Sequence, residues 1–179
     1  MFFVIAYCIG LIPFGEIYAY LMGFGKLKKQ GSGNIGASNA YRVGGKLLGI
    51  LTLGSDILKG LIPVLFFQNE WTALAVVMGH VRFPLFTGGK GVATALGAFL
   101  AINPRIILIM LPVWILVFIW KRISSLSSII TFAILPVVAY YFDVDLRMSL
   151  ITSAVILWAH KDNIMRLYQG TENKLEKTK

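Results

Sequence analysis

Residues 31–42 read GSGNIGASNAYR, a polar and glycine-dense stretch between two long apolar runs. Its glycines, Gly31, Gly33 and Gly36, can take positive φ values and turn successive backbone N–H groups towards one point, which is the geometry of an anion-binding nest. Hydrogen-bonding or cationic side chains stand between and after them, at Ser32, Asn34, Ser38, Asn39 and Arg42. The stretch predicts a phosphate-binding loop. An ordinary connector is the alternative, because Gly, Ser and Asn are also common residues of turns.

The flanking runs are too apolar for a water-soluble domain. Hydrophobic residues make up 57% of the 179 residues and charged residues 14%, with a mean hydropathy of +0.75, whereas soluble domains are about half apolar and about a quarter charged. The apolar runs are close in length to a membrane-spanning helix, which needs about 20 residues, and longer than a membrane-spanning strand, which needs about 10. We therefore predict an all-α integral membrane protein with one polytopic domain over residues 1–179.

The predicted domain is a bundle of seven transmembrane helices, some of them short. The spans are expected at residues 2–22, 47–67, 71–86, 88–102, 104–120, 126–142 and 146–160, followed by a basic tail over 161–179. With the glycine-dense stretch inside the cell, 14 of the 17 Lys and Arg residues are cytoplasmic, Arg105 and Arg147 lie outside, and Lys59 lies in the membrane. The positive-inside rule then predicts an external N-terminus and a cytoplasmic C-terminus. The first run has no basic segment before it and no small-residue cleavage site, so we expect it to be retained as a span.

The net charge of +9 is spread over short loops and the tail, and no motif for reading nucleic acid accompanies it. We interpret this charge as a determinant of topology and an attraction for anionic ligands and membrane lipids, not as a nucleic-acid interface. Cys8, the single cysteine, lies in the first apolar run, where we expect a buried small hydrophobe. No histidines and carboxylates have metal-ligand spacing, so neither a catalytic metal nor another cofactor is expected.

Several ionisable residues stand inside the apolar runs, and four of them are considered as site candidates. Glu16 is expected to face the bundle or a wet cavity near the glycine-dense stretch, or else to reach the lipid headgroups. Asp56 and Lys59 are three residues apart and share a helix face, so they can pair within the second span; a site-facing role for Lys59 is the equally open alternative. His80, in the third span, is as readily a buried core residue as a ligand.

A second polar stretch, residues 83–94 with the sequence FPLFTGGKGVAT, joins two short apolar runs. Short helices that meet at a glycine-rich turn resemble the broken helices that present backbone N–H groups to anions at membrane depth. Gly88, Gly89 and Gly91 permit close approach to the backbone. Lys90 supplies a cation, and Thr94 falls in the first turn of the following helix. Gly91 follows Lys90 directly, which excludes a Walker P-loop.

A third polar stretch, HKDNIMR at residues 160–166, follows the last span. His160, Asn163 and Arg166 are spaced by three residues, so they share one face if the helix continues. The predicted topology brings all three stretches to the cytoplasmic side, where we expect a basic, hydrogen-bonding pocket. The alternatives are local: His160 caps the last helix carbonyls, and cations of this stretch and of the tail anchor lipid headgroups, namely Lys161, Arg166 and those at 174–179.

Together, the three stretches resemble the three cytoplasmic motifs of the bacterial acyl-phosphate glycerol-3-phosphate acyltransferases, the PlsY family. SGNIGASNAYR, then GGKGVAT, then HKDNIMRL with GTE behind it occur in the family's order and cover nearly the whole chain. The resemblance implies an enzyme of the bacterial inner membrane whose active site faces the cytoplasm. It implies transfer of a fatty acyl group from acyl phosphate to the sn-1 hydroxyl of glycerol 3-phosphate. The products are lysophosphatidic acid and inorganic phosphate, in the first acylation of phospholipid synthesis.

The resemblance also implies roles for individual residues. Those expected to be catalytic are Ser32, Arg42, Lys90, His160 and Asn163. Those expected to bind substrate are Gly33, Asn34, Gly36, Ser38, Asn39, Gly88, Gly89, Gly91, Thr94 and Arg166. The segment between His80 and Lys90 departs from the family's pattern, and no role is assigned to Glu16, Lys59, His80 or Glu172.

The chemistry implied is simple. Acyl phosphate is an activated mixed anhydride, so we expect no acyl-enzyme. Catalysis then consists of positioning two substrates and neutralising the departing phosphate with Lys90, Arg42 and loop N–H groups. A phosphate oxygen of the substrate is the expected base, with His160 as its rival. A membrane transporter or channel for a phosphorylated metabolite is the alternative function, and a membrane scaffold or receptor is a third. Motifs clustered on one side without an internal repeat argue against the transporter, and a scaffold would leave the three motifs without a function.

Overall fold

The computed structural model describes residues 1–174, and within that range all regular secondary structure is helical. The chain divides into two compact units, Met1–Ile102 and Asn103–Lys179. The predicted all-α class is confirmed. The predicted headgroup-anchoring lysines Lys177 and Lys179 lie outside the described residues.

The first unit contains five α-helices and a short 3₁₀ turn. They are α1 (Phe2–Gly10), α2 (Phe14–Leu21), the 3₁₀ turn (Leu27–Lys29), α3 (Ala37–Phe67), α4 (Trp71–Val81) and α5 (Val92–Ile102). The first predicted span is therefore two helices, broken at residues 11–13. Pro13 has no N–H and takes a non-helical conformation (φ −92°, ψ 71°), so the helical hydrogen bonds cannot continue across it.

Helix α3 begins ten residues earlier than the predicted second span, at Ala37 instead of residue 47. The N–H groups of Asn39 and Ala40 both donate to the carbonyl of Gly36, at 3.1 and 3.0 Å, so half of the glycine-dense stretch is helical and not loop. Gly45 then interrupts the helix with φ 74° and ψ −163°, a conformation that only glycine adopts at little cost. This kink joins a polar first segment to the apolar remainder.

The third and fourth predicted spans are shorter than expected. Helix α4 ends at Val81, because Arg82 takes a left-handed conformation (φ 58°), and α5 does not begin until Val92. The predicted end of the third helix at residue 86 and the predicted start of the fourth at residue 88 are therefore wrong. The intervening residues form the connection that contains the GGKG sequence.

Glycines bring the helices of this unit into backbone contact. On the crossing of α1 with α4, a Cβ on Gly10 would lie 2.2 Å from the carbonyl oxygen of Val76. On the crossing of α3 with α5, a Cβ on Gly60 would lie 2.0 Å from the carbonyl oxygen of Thr94. Such close crossings are typical of membrane helices, where small residues replace hydrophobic burial as the means of association.

A small apolar cluster fixes the glycine-dense stretch on the helices. It joins Ala19 of α2, Leu27 of the 3₁₀ turn, and Ala40 and Leu48 of α3, all fully buried. Because these four residues come from three elements, their packing sets the position at which the polar loop leaves one helix and enters the next.

The second unit contains α6 (Pro104–Lys121), α7 (Ser124–Tyr141), α8 (Leu146–Ala159) and α9 (Lys161–Tyr168). Two helices start at side-chain caps: the Asn103 side chain accepts from the N–H of Arg105 at 3.1 Å, and the Asp145 carboxylate accepts from the N–H of Met148 at 2.9 Å. Hydroxyls line the contact of α7 with α8, where Ser153 donates to the carbonyl of Phe132. These caps and hydroxyl groups provide hydrogen bonds for polar groups that would be left without a partner in lipid.

Four segments of the described chain are long and apolar enough to cross a membrane: Phe2–Leu21, Ala37–Phe67, Pro104–Lys121 and Ser124–Tyr141. Trp71–Val81, Val92–Ile102 and Leu146–Ala159 are shorter apolar helices. Only 11% of α6 is buried, so most of its apolar surface faces outward, as lipid contact requires. Seven crossings and the orientation of the termini stay predictions.

The environment of Cys8 differs from the expectation. This residue is exposed on α1 and not buried, beside exposed Val4 and Ile5 on the same helix. The face is apolar because lipid, not protein, is its expected neighbour, so an apolar run in a membrane helix does not predict which of its residues the protein covers.

Candidate active site

The glycine-dense loop is organised by one buried amide, that of Asn39. This side chain is 1% exposed, and its Oδ1 accepts from the N–H of Ser32 at 2.8 Å. Its Nδ2 lies within hydrogen-bond distance of three carbonyl oxygens: those of Leu27 at 3.2 Å, Gln30 at 3.1 Å and Asn34 at 2.7 Å. A single neutral side chain therefore holds both ends of the loop.

Two further features fix the loop conformation. Gly31 has φ +56°, and a Cβ there would lie 2.2 Å from Asn39 Oδ1, so only glycine fits. The Asn34 side chain accepts from the N–H of Gly36 at 3.3 Å, which closes a turn just before α3. The loop has a defined conformation with glycines at its required positions.

The side chains expected to bind phosphate in this loop are partly accessible. Ser32, Ser38 and Arg42 are half-buried, the last two on the first turns of α3. Asn39 differs from them, because its amide is committed to the loop backbone. We therefore read Asn39, predicted as a substrate-binding residue, as a residue that positions the loop.

Glu16 contacts the segment that leads into the loop. Its two carboxylate oxygens accept from the N–H groups of Leu27 at 3.1 Å and Lys28 at 3.0 Å, so it caps the 3₁₀ turn. Lys28 in turn donates from Nζ to the carbonyl of Thr87 in the GGKG connection. Glu16 is thus a support for the polar loops.

The GGKG turn is held against the end of α4. The N–H groups of Gly88 and Gly89 donate to the carbonyls of Val81 and His80, at 3.1 and 3.0 Å. A Cβ on Gly89 would lie 2.0 Å from His80 Nε2, so the turn packs directly on the imidazole. Lys90 follows, half-buried.

Asp56, Lys59 and His80 form a buried group beneath this turn. Lys59 Nζ lies 2.7 Å from Asp56 Oδ1 and donates to the carbonyl of Ile12 at 2.8 Å. His80 Nδ1 lies 3.7 Å from the same carboxylate oxygen. The predicted pairing of Asp56 with Lys59 inside the helix is therefore confirmed, and His80 is a buried residue that contacts the turn.

In the second unit, His160 ends α8 and is 1% exposed. Its Nδ1 lies 2.8 Å from the carbonyl oxygen of Ile156. Because a carbonyl only accepts, Nδ1 carries the proton, and in the neutral ring Nε2 carries the lone pair. The capping contact that the sequence left open is present, and it fixes the orientation of the ring.

Asn163 and Arg166, one turn apart on α9, both donate to Glu172. The amide of Asn163 reaches Oε1 at 2.7 Å, and Nε of Arg166 reaches Oε2 at 2.7 Å. Ser125 of α7 adds a hydrogen bond to Oε1 at 3.0 Å. The Glu172 side chain is only 6% exposed, so this carboxylate ties the segment after α9 to two elements of its unit.

Burial on its own would raise the pKa of Glu172. The hydrogen bonds from Asn163, Arg166 and Ser125, together with the charge of Arg166, outweigh it and hold the pKa of this carboxyl below its ordinary value. Glu172 is therefore ionised at neutral pH. Sequence reasoning assigned no role to Glu172; the signal was its place directly after Gly170 and Thr171, behind a basic helix.

The predicted site residues fall into two groups, one in each unit. The first unit carries those of the glycine-dense loop and the GGKG turn, which the Lys28 contact to Thr87 links. The second carries those of the terminal segment, His160, Asn163 and Arg166, which the side chains of α7 and Glu172 hold. Each group combines hydrogen-bond donors with a cation, the chemistry suited to phosphoryl oxygens.

Comparisons with known proteins agree on one family. Residues 1–170 match the family model described as glycerol-3-phosphate acyltransferase. A glycerol-3-phosphate acyltransferase of Trichlorobacter lovleyi is 44% identical over 96% of this chain and 94% of its own length. One from Aquifex aeolicus is 43% identical over 96% of each.

Two solved structures share the fold over nearly the whole chain. Both are crystal structures of PlsY, an integral membrane glycerol 3-phosphate acyltransferase, one in its glycerol 3-phosphate form and one in its lysophosphatidic acid form. The first has a TM-score of 0.89 at 39% identity and the second 0.86 at 38%; each match covers 98% of this chain and 94% of the other.

Proposed function

Because the chain belongs to the glycerol-3-phosphate acyltransferase family, we propose that it acylates the sn-1 hydroxyl of glycerol 3-phosphate to give lysophosphatidic acid. One observation carries the proposal: all three polar motifs are present in a chain that aligns with PlsY over 98% of its length, and PlsY is known with glycerol 3-phosphate and with lysophosphatidic acid. Specific hydrogen bonds hold the segments that bear the motifs.

We propose acyl phosphate as the donor. The hydroxyl oxygen of glycerol 3-phosphate attacks the acyl carbonyl carbon, the bond from that carbon to the phosphate oxygen breaks, and phosphate leaves with the electron pair. Charge therefore builds up on the departing phosphate. Lys90, Arg42 and the N–H groups of the glycine-dense loop have the chemistry to neutralise it, and no covalent intermediate on the protein is needed.

The proton of the attacking hydroxyl goes to a phosphate oxygen of the substrate in this proposal. The second pKa of a phosphate monoester is about 6, which suits a base at neutral pH. His160 is the rival, since its Nδ1–H bond to Ile156 leaves the lone pair on Nε2. His160→Gln discriminates between them: a substrate base predicts that the acidic limb of the pH profile persists, whereas loss of turnover and of that limb with substrate binding intact identifies His160 as the base.

The membrane arrangement proposed is seven crossings of the inner membrane, with the N-terminus outside and the active site facing the cytoplasm. Its support is the distribution of Lys and Arg, 14 of 17 in the segments placed inside. The acyl chain lies along apolar helix surface that is continuous with the bilayer. Shortening the acyl chain is expected to raise the KM for acyl phosphate. The loss of binding free energy should be at most about 0.8 kcal/mol for each buried CH₂ removed.

The test is phosphate release and lysophosphatidic acid formation by the purified protein with palmitoyl phosphate and glycerol 3-phosphate. We expect both products, and only when both substrates are present. Lys90→Ala should abolish most of the activity. Lys26→Ala should not, because Lys26 is an exposed lysine whose backbone carbonyl accepts from Gln30 and Lys29. A protein that carries a phosphorylated metabolite across vesicles and forms neither product would be the alternative transporter.

A further inference from the structure

The first unit buries three ionisable side chains that the proposed reaction does not use. Asp56, Lys59 and His80 are 2%, 4% and 5% exposed, and all three lie in helices that we place in the membrane. Charged groups at such positions are costly to bury and usually serve a function. Their contacts indicate what that function is.

The cation of this group holds the break between α1 and α2. Lys59 Nζ donates to the carbonyl of Ile12 at 2.8 Å, a carbonyl next to Pro13, where the helical pattern stops. The same Nζ lies 2.7 Å from Asp56 Oδ1. Lys59 thus fixes the carboxylate of Asp56 by compensating its charge and anchoring it to the backbone of the first helix pair.

The carboxylate faces His80, whose far edge faces the GGKG turn. Asp56 Oδ1 lies 3.7 Å from His80 Nδ1, and the Nε2 edge packs on Gly89 so closely that a Cβ there would lie 2.0 Å away. The carbonyl of His80 also accepts from the N–H of Gly89 at 3.0 Å. His80 therefore contacts the residue before Lys90 through both its ring and its backbone.

We propose that Asp56, compensated by Lys59, is a positioning residue: it orients the imidazole of His80 against Gly89 and so sets the turn that presents Lys90. The inference rests on the proposed function of Lys90 in binding phosphate. At 3.7 Å the carboxylate acts on the ring by charge and not by a short hydrogen bond, and no proton transfer is involved. A loose turn would leave Lys90 in place but less well aimed, which weakens binding of the phosphorylated substrate.

The kinetic test replaces the pair without stranding a charge. Asp56→Asn combined with Lys59→Met leaves no uncompensated buried ion, so the double variant should fold. Lys90→Gln identifies the phosphorylated substrate whose KM depends on Lys90. For that same substrate we expect the double variant to raise the KM about tenfold, while kcat stays within about threefold of wild type. Thr52→Val is the matched control, because Thr52 is a buried polar residue of the same helix whose hydroxyl donates to the carbonyl of Leu48, one turn earlier in that helix. Wild-type KM values in a folded double variant would reduce the pair to a stabilising role.

A second kinetic test addresses the contact with the turn. Gly89→Ala places a methyl group on the imidazole, and His80→Ala removes the ring that it meets. The double variant should therefore have a higher kcat/KM than Gly89→Ala alone. Independent, additive losses would show that His80 does not set the turn.

A measurement without turnover separates this inference from the proposed function. The chain has only two histidines, so the ring resonances of His80 in a ¹⁵N-labelled sample can be assigned by comparison with a His160 variant. In Asp56→Asn/Lys59→Met we expect shifts of the His80 ring and of the Gly89 and Lys90 amides, and none of these in Thr52→Val. Unshifted Gly89 and Lys90 amides would overturn the positioning role even in an active enzyme, whereas shifted amides in a chain that forms no product would overturn the function alone.

Discussion

The two polar groups of this protein are built by opposite means. In the first unit the polar surface consists largely of backbone, shaped by glycines and held by the neutral amide of Asn39. In the second it consists of side chains on a short helix, held by the carboxylate of Glu172. The first group depends on space and conformation, the second on charge. In the proposed function both groups bind the same class of ligand, a phosphoryl group, on two kinds of support with different sensitivities.

The difference has a physical origin in the segments concerned. A loop without regular hydrogen bonds must satisfy its own backbone, and an amide that both donates and accepts can do so at both of its ends. Helix α9 forms its own backbone hydrogen bonds. Its side chains can therefore be oriented by a single carboxylate, that of Glu172, which has two acceptor oxygens. Substitutions should therefore affect the two groups unequally.

The largest effect is expected at the cation of the backbone-built group. Lys90→Ala removes a charge that the proposed transition state needs, and we expect kcat/KM to fall about 10² to 10³-fold. Thermal unfolding should change little, because Lys90 is half-buried at a turn. Phosphate release measures the activity. A decrease in kcat/KM of less than tenfold in a folded variant would show that Lys90 is not the main phosphate contact.

Next in size is the amide that holds the loop. Asn39→Asp keeps the acceptor for the Ser32 N–H but turns a carboxylate oxygen towards three carbonyls, so we expect a loss of about 2 to 4 kcal/mol in unfolding free energy. Asn34→Asp is the matched control for stability, since the Asn34 contact to Gly36 uses only its oxygen. Thermal unfolding of the two variants decides; equal melting temperatures would mean that the Nδ2 contacts of Asn39 contribute nothing.

The charge-built group should respond to pH through Glu172. Glu172 has a lowered pKa when folded, so its stabilising contribution is complete above the ordinary value of 4.5 and is lost as the pH falls through the lowered folded-state pKa. Glu172→Gln should cost about 1 to 3 kcal/mol at pH 7. Its melting temperature should also fall less than that of the wild type between pH 6 and pH 3. Parallel curves for the two proteins would argue against Glu172 as the titrating group.

The smallest effect is expected at the tether between the two loops of the first unit. Lys28→Ala removes the hydrogen bond to the carbonyl of Thr87 and should cost at most about 1 kcal/mol, because the side chain is exposed. Lys29→Ala, the adjacent exposed lysine of the same 3₁₀ turn, is the control. If the Lys29 variant is the less stable of the two, the tether is unimportant.

The sequence was sufficient for the elements whose signal is local. Apolar runs predicted the helical class, and the i, i+3 spacing of Asp56 and Lys59 placed both on one helix face, with pairing as one of two interpretations. The glycine pattern located the loop and the GGKG turn. Each of these features depends on residues close together in the chain.

Features that depend on distant partners could not be derived in this way. That Asn39 meets the carbonyls of Leu27 and Gln30, or that Glu172 meets Ser125, follows from packing and not from spacing. The early start of α3 depends on Gly45, whose positive φ lets a polar helix run into an apolar one. Cys8 shows the same limit, because hydropathy does not distinguish a protein-facing side chain from a lipid-facing one.

The central claim is that the polar motifs work at the cytoplasmic surface, and sidedness tests it most directly. In a Cys8→Ser background, Thr87→Cys and Thr171→Cys introduce single exposed cysteines beside the two polar groups, and Asp143→Cys marks the opposite predicted side. An impermeant maleimide should label the first two only in inside-out vesicles and the third only in spheroplasts. Labelling of Thr87→Cys or Thr171→Cys from the outside of spheroplasts would contradict the claim.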